Sequence, residues 1–195
     1  MIFSFVLISQ LFHSLKKDFS MLNYIKFFIM LLIFINSPKV FSQETAAKEH
    51  ANNWSLYDCY IVSGAIKMAA FKNGELLSKV NRDKGRFYIQ VSMENNTVFG
   101  GAYFAGFPLK VGSQAKITID DTQEFLLYSH QKPKANIEKS YAWTLPDDDG
   151  NLINALKKGQ EAIIESNSHT GKVIKDTFAL TGFTKAYNLL RNTCK

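Results

Sequence analysis

Residues 86–94 read RFYIQVSME, Arg86 to Glu94, and their alternation sets the fold class. Phe87, Ile89, Val91 and Met93 fall on one face of an extended chain, and Tyr88, Gln90, Ser92 and Glu94 on the other. A period of two sustained over this length is that of a half-buried strand. Glu94-Asn95-Asn96 predicts a turn, and Thr97 to Ala105 its hairpin partner. Phe107-Pro108 then interrupts the ladder, because proline offers no N–H. Further on, Ala115, Ile117 and Ile119 alternate with Lys116, Thr118 and Asp120; Asp121-Thr122 turns and Glu124 to Ser129 returns. Tyr141 to Leu145 is short and apolar, and Glu161 to Ser166 and Val173 to Thr181 are two strands joined by the turn HTGK. Upstream, Trp54 to Val62 reads as one strand. The stretch from Ser63 to Gly85 has a weak pattern and closes in the charged turn NRDKG. Many short strands separated by turns predict an all-β sandwich rather than βαβ units.

Two segments break the period of two. In PDDDGNLINALKKG, acids precede Leu152, Ile153 and Leu156 at helical spacing, and Gly159 follows Lys157 and Lys158. Acids at the start, lysines at the end and a closing glycine predict a short helix near 151–158. Near 184–193, Ala186, Tyr187 and Leu190 recur at helical spacing with Phe183 and Cys194, which predicts a C-terminal helix with Cys194 on its apolar face.

The first 42 residues have a different character. After Met21 come one lysine, Lys26, the apolar run FFIMLLIFI from Phe27 to Ile35, and then Val40 and Ser42. A basic start, a short apolar run and small or aliphatic residues at a cleavage site have the order of a secretory signal. The run is too short to span a bilayer, which needs about 20 residues. Residues 1–42 are therefore expected to be a leader, with translation starting at Met21, membrane contact only during export, and a mature chain beginning at Gln43. Residues 43–53 are polar and small and are expected to be flexible. Residues 54–195 are expected to form a single domain, large enough for one core.

The net charge of the whole chain is +6. Lys16, Lys17, Lys26, Lys39 and Asp18 all fall in the leader, which leaves +3 after it. That charge is mild and its basic residues are scattered, which argues against nucleic acid as a partner. Cys59 and Cys194 are the two cysteines and both follow the leader. An even count in an oxidising compartment favours a bridge between them, with free thiols as the alternative. A Cys59 nucleophile paired with His50, His130 or His169 has no support in spacing.

No sequence motif here marks a catalytic, cofactor or metal site. Asp147-Asp148-Asp149-Gly150 suggests a calcium loop, but placing Gly150 at the sixth position puts Leu145 and Leu156 where ligands must be. Capping of the helix that follows accounts for the acids. Two cysteines without paired histidines cannot complete a zinc site. The segment VFGGAYFAGFP offers Phe99, Tyr103, Phe104 and Phe107 as a candidate binding surface, against the alternative that they fill the core. Trp54 and Trp143 read as core.

Four segments, in order, carry a family resemblance: Cys59-Tyr-Ile-Val-Ser63, Ala105-Gly-Phe-Pro-Leu-Lys110, Ala142-Trp143 with the acidic run and Ala155 to Gly159, and Asp176-Thr-Phe-Ala-Leu-Thr-Gly-Phe183 before the last helix and Cys194. Together they resemble the invasion-associated locus B family of bacterial envelope proteins over most of residues 54–194. The resemblance implies an immunoglobulin-like β-sandwich, periplasmic, secreted or associated with the outer envelope of a Gram-negative bacterium, with no enzymatic mechanism. Many members carry further internal cysteines; this chain has none in the matching segment from Leu126 to Ala142. The reading that follows is a non-catalytic envelope protein that binds an envelope or host-surface protein. One alternative is an assembly factor or chaperone that offers an edge strand. Another is a periplasmic hydrolase drawing on His130, His169 and Asp147 to Asp149.

Overall fold

The computed structural model describes residues 47–79, 81–91 and 98–194. The leader over 1–42, the start at Met21, the residues just after the leader, Met93 and the expected turn at Glu94–Asn96 lie outside them. The chain forms β1 (Glu49–Ala51), β2 (Trp54–Leu56), β3 (Tyr60–Gly64), β4 (Lys67–Lys72), β5 (Glu75–Leu76), β6 (Arg86–Val91), β7 (Val98–Phe104), β8 (Gln114–Ile119), β9 (Gln123–Ser129), β10 (Tyr141–Trp143), helix α1 (Pro146–Lys158), β11 (Glu161–Asn167), β12 (Val173–Ala179) and helix α2 (Phe183–Thr193). The fold is all-β and sandwich-like, as its alternation predicts.

The strands form one antiparallel sheet in the order β1-β2-β3-β6-β7-β10-β9-β8-β11-β12-β4-β5. Only Ala65 and Ile66 separate β3 from β4, yet β3 pairs with β6 and β4 with β12. The chain crosses there from one half of the sheet to the other, so the two halves face each other. Side chains confirm the facing. Phe87 of β6 and Tyr103 of β7 lie 5.9 and 6.3 Å, ring to ring, from Phe178 of β12. The Trp54 indole donates to the Ala179 carbonyl oxygen at 3.2 Å. Trp54 also sits edge-on to Phe183 of α2 at 4.9 Å. Burying these rings, each about 150–250 Å², is the main apolar contribution to the core.

Several boundaries differ from those read in sequence. The stretch from Trp54 to Val62 is a hairpin, with Tyr57 N–H donating to the Tyr60 carbonyl oxygen at 3.0 Å, so Cys59 lies in a turn. The stretch 43–53 is not wholly flexible: Glu49–Ala51 pairs with Trp54–Leu56 as β1, and Ala51 is buried. The weak stretch from Ser63 to Gly85 holds β4 and β5, joined by Asn73 and Gly74, both at positive φ. Two such residues in sequence are those of a primed hairpin turn, which Asn-Gly favours.

Helix α1 begins at Pro146, five residues before the expected start, because proline's fixed φ suits the first helical turn. Asp147, Asp148 and Asp149 occupy that turn, near the positive end of the dipole, but no side chain caps the helix. Gly159 follows α1 in an extended conformation, not as a left-handed cap. Helix α2 buries Phe183, Ala186 and Leu190, as the spacing predicts, and Cys194 behind it is bonded to Cys59.

Gly106 has φ +72°, and a Cβ there would overlap the carbonyl oxygen of Asp83. A side chain is excluded by both the dihedral angle and the neighbouring backbone. Gly106→Ala is expected to lower stability by about 1–3 kcal/mol in urea denaturation. A loss under about 0.5 kcal/mol would show that the Asp83 backbone yields freely.

Candidate functional site

On β3, β6, β7 and β10 the inward residues fill the core and the outward ones form a second surface. Outward on β6 lie Arg86, Tyr88 and Gln90; on β10, Tyr141 and Trp143; on β3, Tyr60. Register decides their neighbours. Tyr88 and Trp143 both pair with Ala102, from opposite sides, and Arg86 and Tyr141 both pair with Phe104. Ala102 is small, so the rings around it stand above a floor. The result is a shallow depression of about 350 Å³ lined by Tyr60, Tyr88, Ala102, Tyr141, Trp143 and the Ile137–Glu138 turn.

The rings touch in a continuous row. Tyr57 stacks on Tyr60 at 5.0 Å, Tyr60 lies 6.0 Å from Tyr88, and Tyr88 lies 6.3 Å from Tyr141. Tyr141 stacks on Trp143 at 5.6 Å, and His130 meets the Trp143 ring edge-on at 4.6 Å. All of these side chains are only part-buried or exposed. Burial first, and the Tyr88 phenol next, raise the Tyr141 hydroxyl above its ordinary value; burial and then Tyr57 do the same for Tyr60. Both phenols therefore stay protonated near neutral pH and can donate hydrogen bonds. At the rim, the Glu138 carboxylate accepts from the backbone N–H of Lys134 at 2.6 Å and of Ala135 at 3.3 Å. These donors hold its carboxyl below the usual range and fix the turn beside the depression.

This surface is not the one proposed from VFGGAYFAGFP. Tyr103 points inward and is fully buried, Phe104 is buried under Tyr141 and Arg86, and Phe107 packs against the core. The side chain of Phe99 lies outside the described residues. The reason is register: on β7 Gly101 and Tyr103 face the core, while Ala102 faces outward between larger rings and Phe104, also outward, is covered by Arg86 and Tyr141. Trp54 is core as expected, but Trp143 is on the outer face. Sequence carried part of the signal, since the alternation in residues 86–94 already places Tyr88 outward.

The residues considered for catalysis do not converge. His50 Nδ1 is 3.0 Å from the Ser55 hydroxyl on β2, His130 lies against Trp143, and His169 Nδ1 donates to the Pro108 carbonyl oxygen at 3.1 Å. Asp149 is buried and accepts from Gly100 N–H at 2.8 Å and the Thr144 hydroxyl at 2.5 Å. Gly100 is the extra residue where the β6–β7 register shifts, so the Asp149 carboxylate satisfies a bulge N–H that the ladder leaves unpaired. Among the described residues no three His, Cys, Asp or Glu side chains come together as a metal site. Among them, too, no helix is long and apolar enough to cross a membrane.

A second cluster was not foreseen in sequence. Arg82, from the charged turn NRDKG, has its side chain only 4% exposed and pairs with the fully buried carboxylate of Asp176. Its Nη1 donates to the Ala105 carbonyl oxygen at 2.7 Å, and its guanidinium lies 5.4 Å from the centre of the Phe107 ring. The Tyr103 hydroxyl donates to the other Asp176 oxygen at 2.7 Å. Burial first and Asp176 next push the Tyr103 phenol well above its ordinary value, so it remains a donor. Two of the four segments that carry the resemblance, those around Ala105–Pro108 and Asp176–Phe183, meet at Arg82.

The profile of the family described as Invasion associated locus B (IalB) protein matches residues 81–191, from the turn that holds Arg82 to the last turns of α2. No curated protein and no solved structure matches the chain significantly. With more than half of its 195 residues inside the family match, including the Arg82–Asp176 centre and β6 to β12, the chain belongs to the invasion associated locus B family.

Proposed function

We infer that this protein is an exported, non-catalytic component of the bacterial envelope that binds another envelope protein through the aromatic face of β3, β6, β7 and β10. The row from Tyr57 to Trp143 carries the inference. Tyrosine and tryptophan supply large contact areas at low side-chain entropy cost, with a polar tip for hydrogen bonds, and they dominate binding hot spots. Export is supported by the leader, and an oxidising destination, periplasmic or at the outer envelope, by the Cys59–Cys194 bond. The non-catalytic reading is supported by the occupation of the candidate groups: Cys59 is in a disulfide, Asp149 holds a bulge, and His169 holds a turn.

A photo-crosslinking residue at Gln90, beside the depression, is expected to capture a discrete partner in living cells, whereas one at Lys185 on α2 captures none. Trp143→Ala and Tyr88→Ala should each weaken that partner's binding by about 2 kcal/mol, roughly 30-fold. Capture only in the presence of host cells would move the partner from the envelope to the host surface. Equal labelling at both positions would overturn the reading. A second reading draws on β4, whose Lys67, Met68 and Ala69 pair only with β12, while β5 reaches only Phe71 and Lys72. An edge of this kind can accept a partner strand. Capture from Met68 instead of Gln90 would favour it.

A further inference from the structure

We propose that Asn73 is a site of spontaneous modification: its side chain cyclises onto the Gly74 nitrogen, and the isoaspartate that results releases β5 from β4. Asn73-Gly74 is the one place in the chain where glycine follows asparagine. Both residues are exposed and at positive φ, and they form the whole turn between the paired residues Lys72 and Glu75. The Gly74 N–H donates to no acceptor among the described residues, and the Asn73 amide has no partner among them either. A Cβ at Gly74 would meet nothing within 4 Å. The attacking nitrogen is therefore neither tied to a carbonyl nor crowded by a side chain. Other asparagines lack this combination. Asn52 is also at positive φ, but Asn53 follows it, and Asn151, Asn154 and Asn188 lie within helices.

The reaction needs only hydroxide and water. The deprotonated Gly74 nitrogen attacks Asn73 Cγ, the bond from Cγ to the amide nitrogen breaks, and ammonia leaves with the proton. A succinimide ring remains. Water that opens it at Cγ gives aspartate. Water that opens it at the Asn73 backbone carbonyl carbon gives isoaspartate, in which the chain runs through Cβ and Cγ and gains a carbon. A two-residue primed turn fixes the register of its strands and has no room for that extra backbone atom. Strand β5 is poorly placed to resist. It is two exposed residues long and pairs only with β4, through Phe71↔Leu76 and Lys72↔Glu75. One further bond, from Leu77 N–H to the Ala70 carbonyl oxygen at 2.8 Å, closes the hairpin. With β5 released, β4 becomes an edge of the sheet along its whole length, open to strand addition.

Ageing the purified protein in mildly alkaline buffer, with peptide mapping and an isoaspartate-specific methylation assay, tests the site. Asn73 is expected to convert at least tenfold faster than Asn52, Asn53 or Asn136, and to yield isoaspartate as well as aspartate. Asn73→Gln, whose longer side chain would have to close a larger ring, should remove the methylation signal from this turn. Hydrogen exchange then reads the consequence. In the isoaspartate form the Leu77 amide should exchange at least tenfold faster, while Ile89 on β6 keeps its rate. Freshly purified Asn73→Asp, which carries the charge without the extra backbone atom, should leave Leu77 protected. Conversion of Asn73 no faster than that of Asn53 would overturn the site. An unchanged Leu77 rate in the isoaspartate form, or equal acceleration in Asn73→Asp, would overturn the release of β5 by the lengthened turn. None of these results bears on the aromatic face, which shares no residue with β4 or β5.

Discussion

Arg82→Met is expected to lower the unfolding free energy by about 3–5 kcal/mol, a large share of a typical domain's stability. The reason is the carboxylate left behind. Asp176 is fully buried on β12, and without Arg82 its charge keeps, among the described residues, only the Tyr103 hydroxyl as a side-chain donor. A charge in that position must either stay unpaired in a low-dielectric interior or take up a proton, and both cost free energy. The guanidinium also holds the Ala105 carbonyl, so its loss frees the turn between β7 and β8. Tyr103→Phe, which removes one hydrogen bond and no charge, should cost about 1–2 kcal/mol. Urea denaturation of Arg82→Met, Asp176→Leu and the double variant decides the matter. The double variant is expected to lose less than the sum of the singles by more than about 1 kcal/mol, because no unpaired charge remains in it. Should Arg82→Met itself fail to fold, Asp176→Asn, which keeps the shape and removes the charge, provides the same comparison. Additive losses, or a single loss below about 1 kcal/mol, would mean that water reaches the pair.

Reducing the Cys59–Cys194 bond is the other large effect. The bond closes a sequence separation of 135 residues, nearly the whole domain. In the chain-entropy picture such a loop contributes about 4–5 kcal/mol, and removal of native disulfides generally costs 2–5 kcal/mol. The bond joins the β2–β3 turn to the end of α2. Helix α2 is the last element of the domain and still holds Phe183, Ala186 and Leu190 in the core after reduction. Loss of the bond should therefore loosen its final turn first, ahead of global unfolding. Urea midpoints with and without reductant give the total. Hydrogen exchange gives the order, with amides near Leu190 to Cys194 accelerating before those of β6 and β12. Equal midpoints in the two redox states would show that the core alone holds the C-terminus.

Much of this architecture was readable from periodicity. Phe87, Ile89 and Val91 are buried at the alternate positions that the pattern predicts, and Ala115, Ile117 and Ile119 repeat it on β8. The helical spacing of Phe183, Ala186 and Leu190 predicted α2 and the burial of Cys194. The misreadings have specific causes. Tyr57-Asp-Cys59 is a turn without glycine or proline, so two short strands looked like one. Asn73-Gly74 did carry a turn signal, but the strands beside it are mostly exposed and lack clean alternation. Asp147 to Asp149 looked like a preface to a helix because acids favour its first turn, while the burial of Asp149 depends on a bulge at Gly100 that no local pattern announces.

From the residue order alone come the strand-rich class, the inward and outward faces of the main strands, the C-terminal helix, and a cysteine pair suited to an oxidising compartment. Assembly in three dimensions supplies the rest. It sets Ala102 between Tyr88 and Trp143, and it carries Arg82 across 94 residues of sequence to the Asp176 carboxylate. Alternation reports which face a side chain occupies but not which strand lies next to it. Arginine and aspartate, moreover, look like surface until a partner distant in the chain makes their burial tolerable.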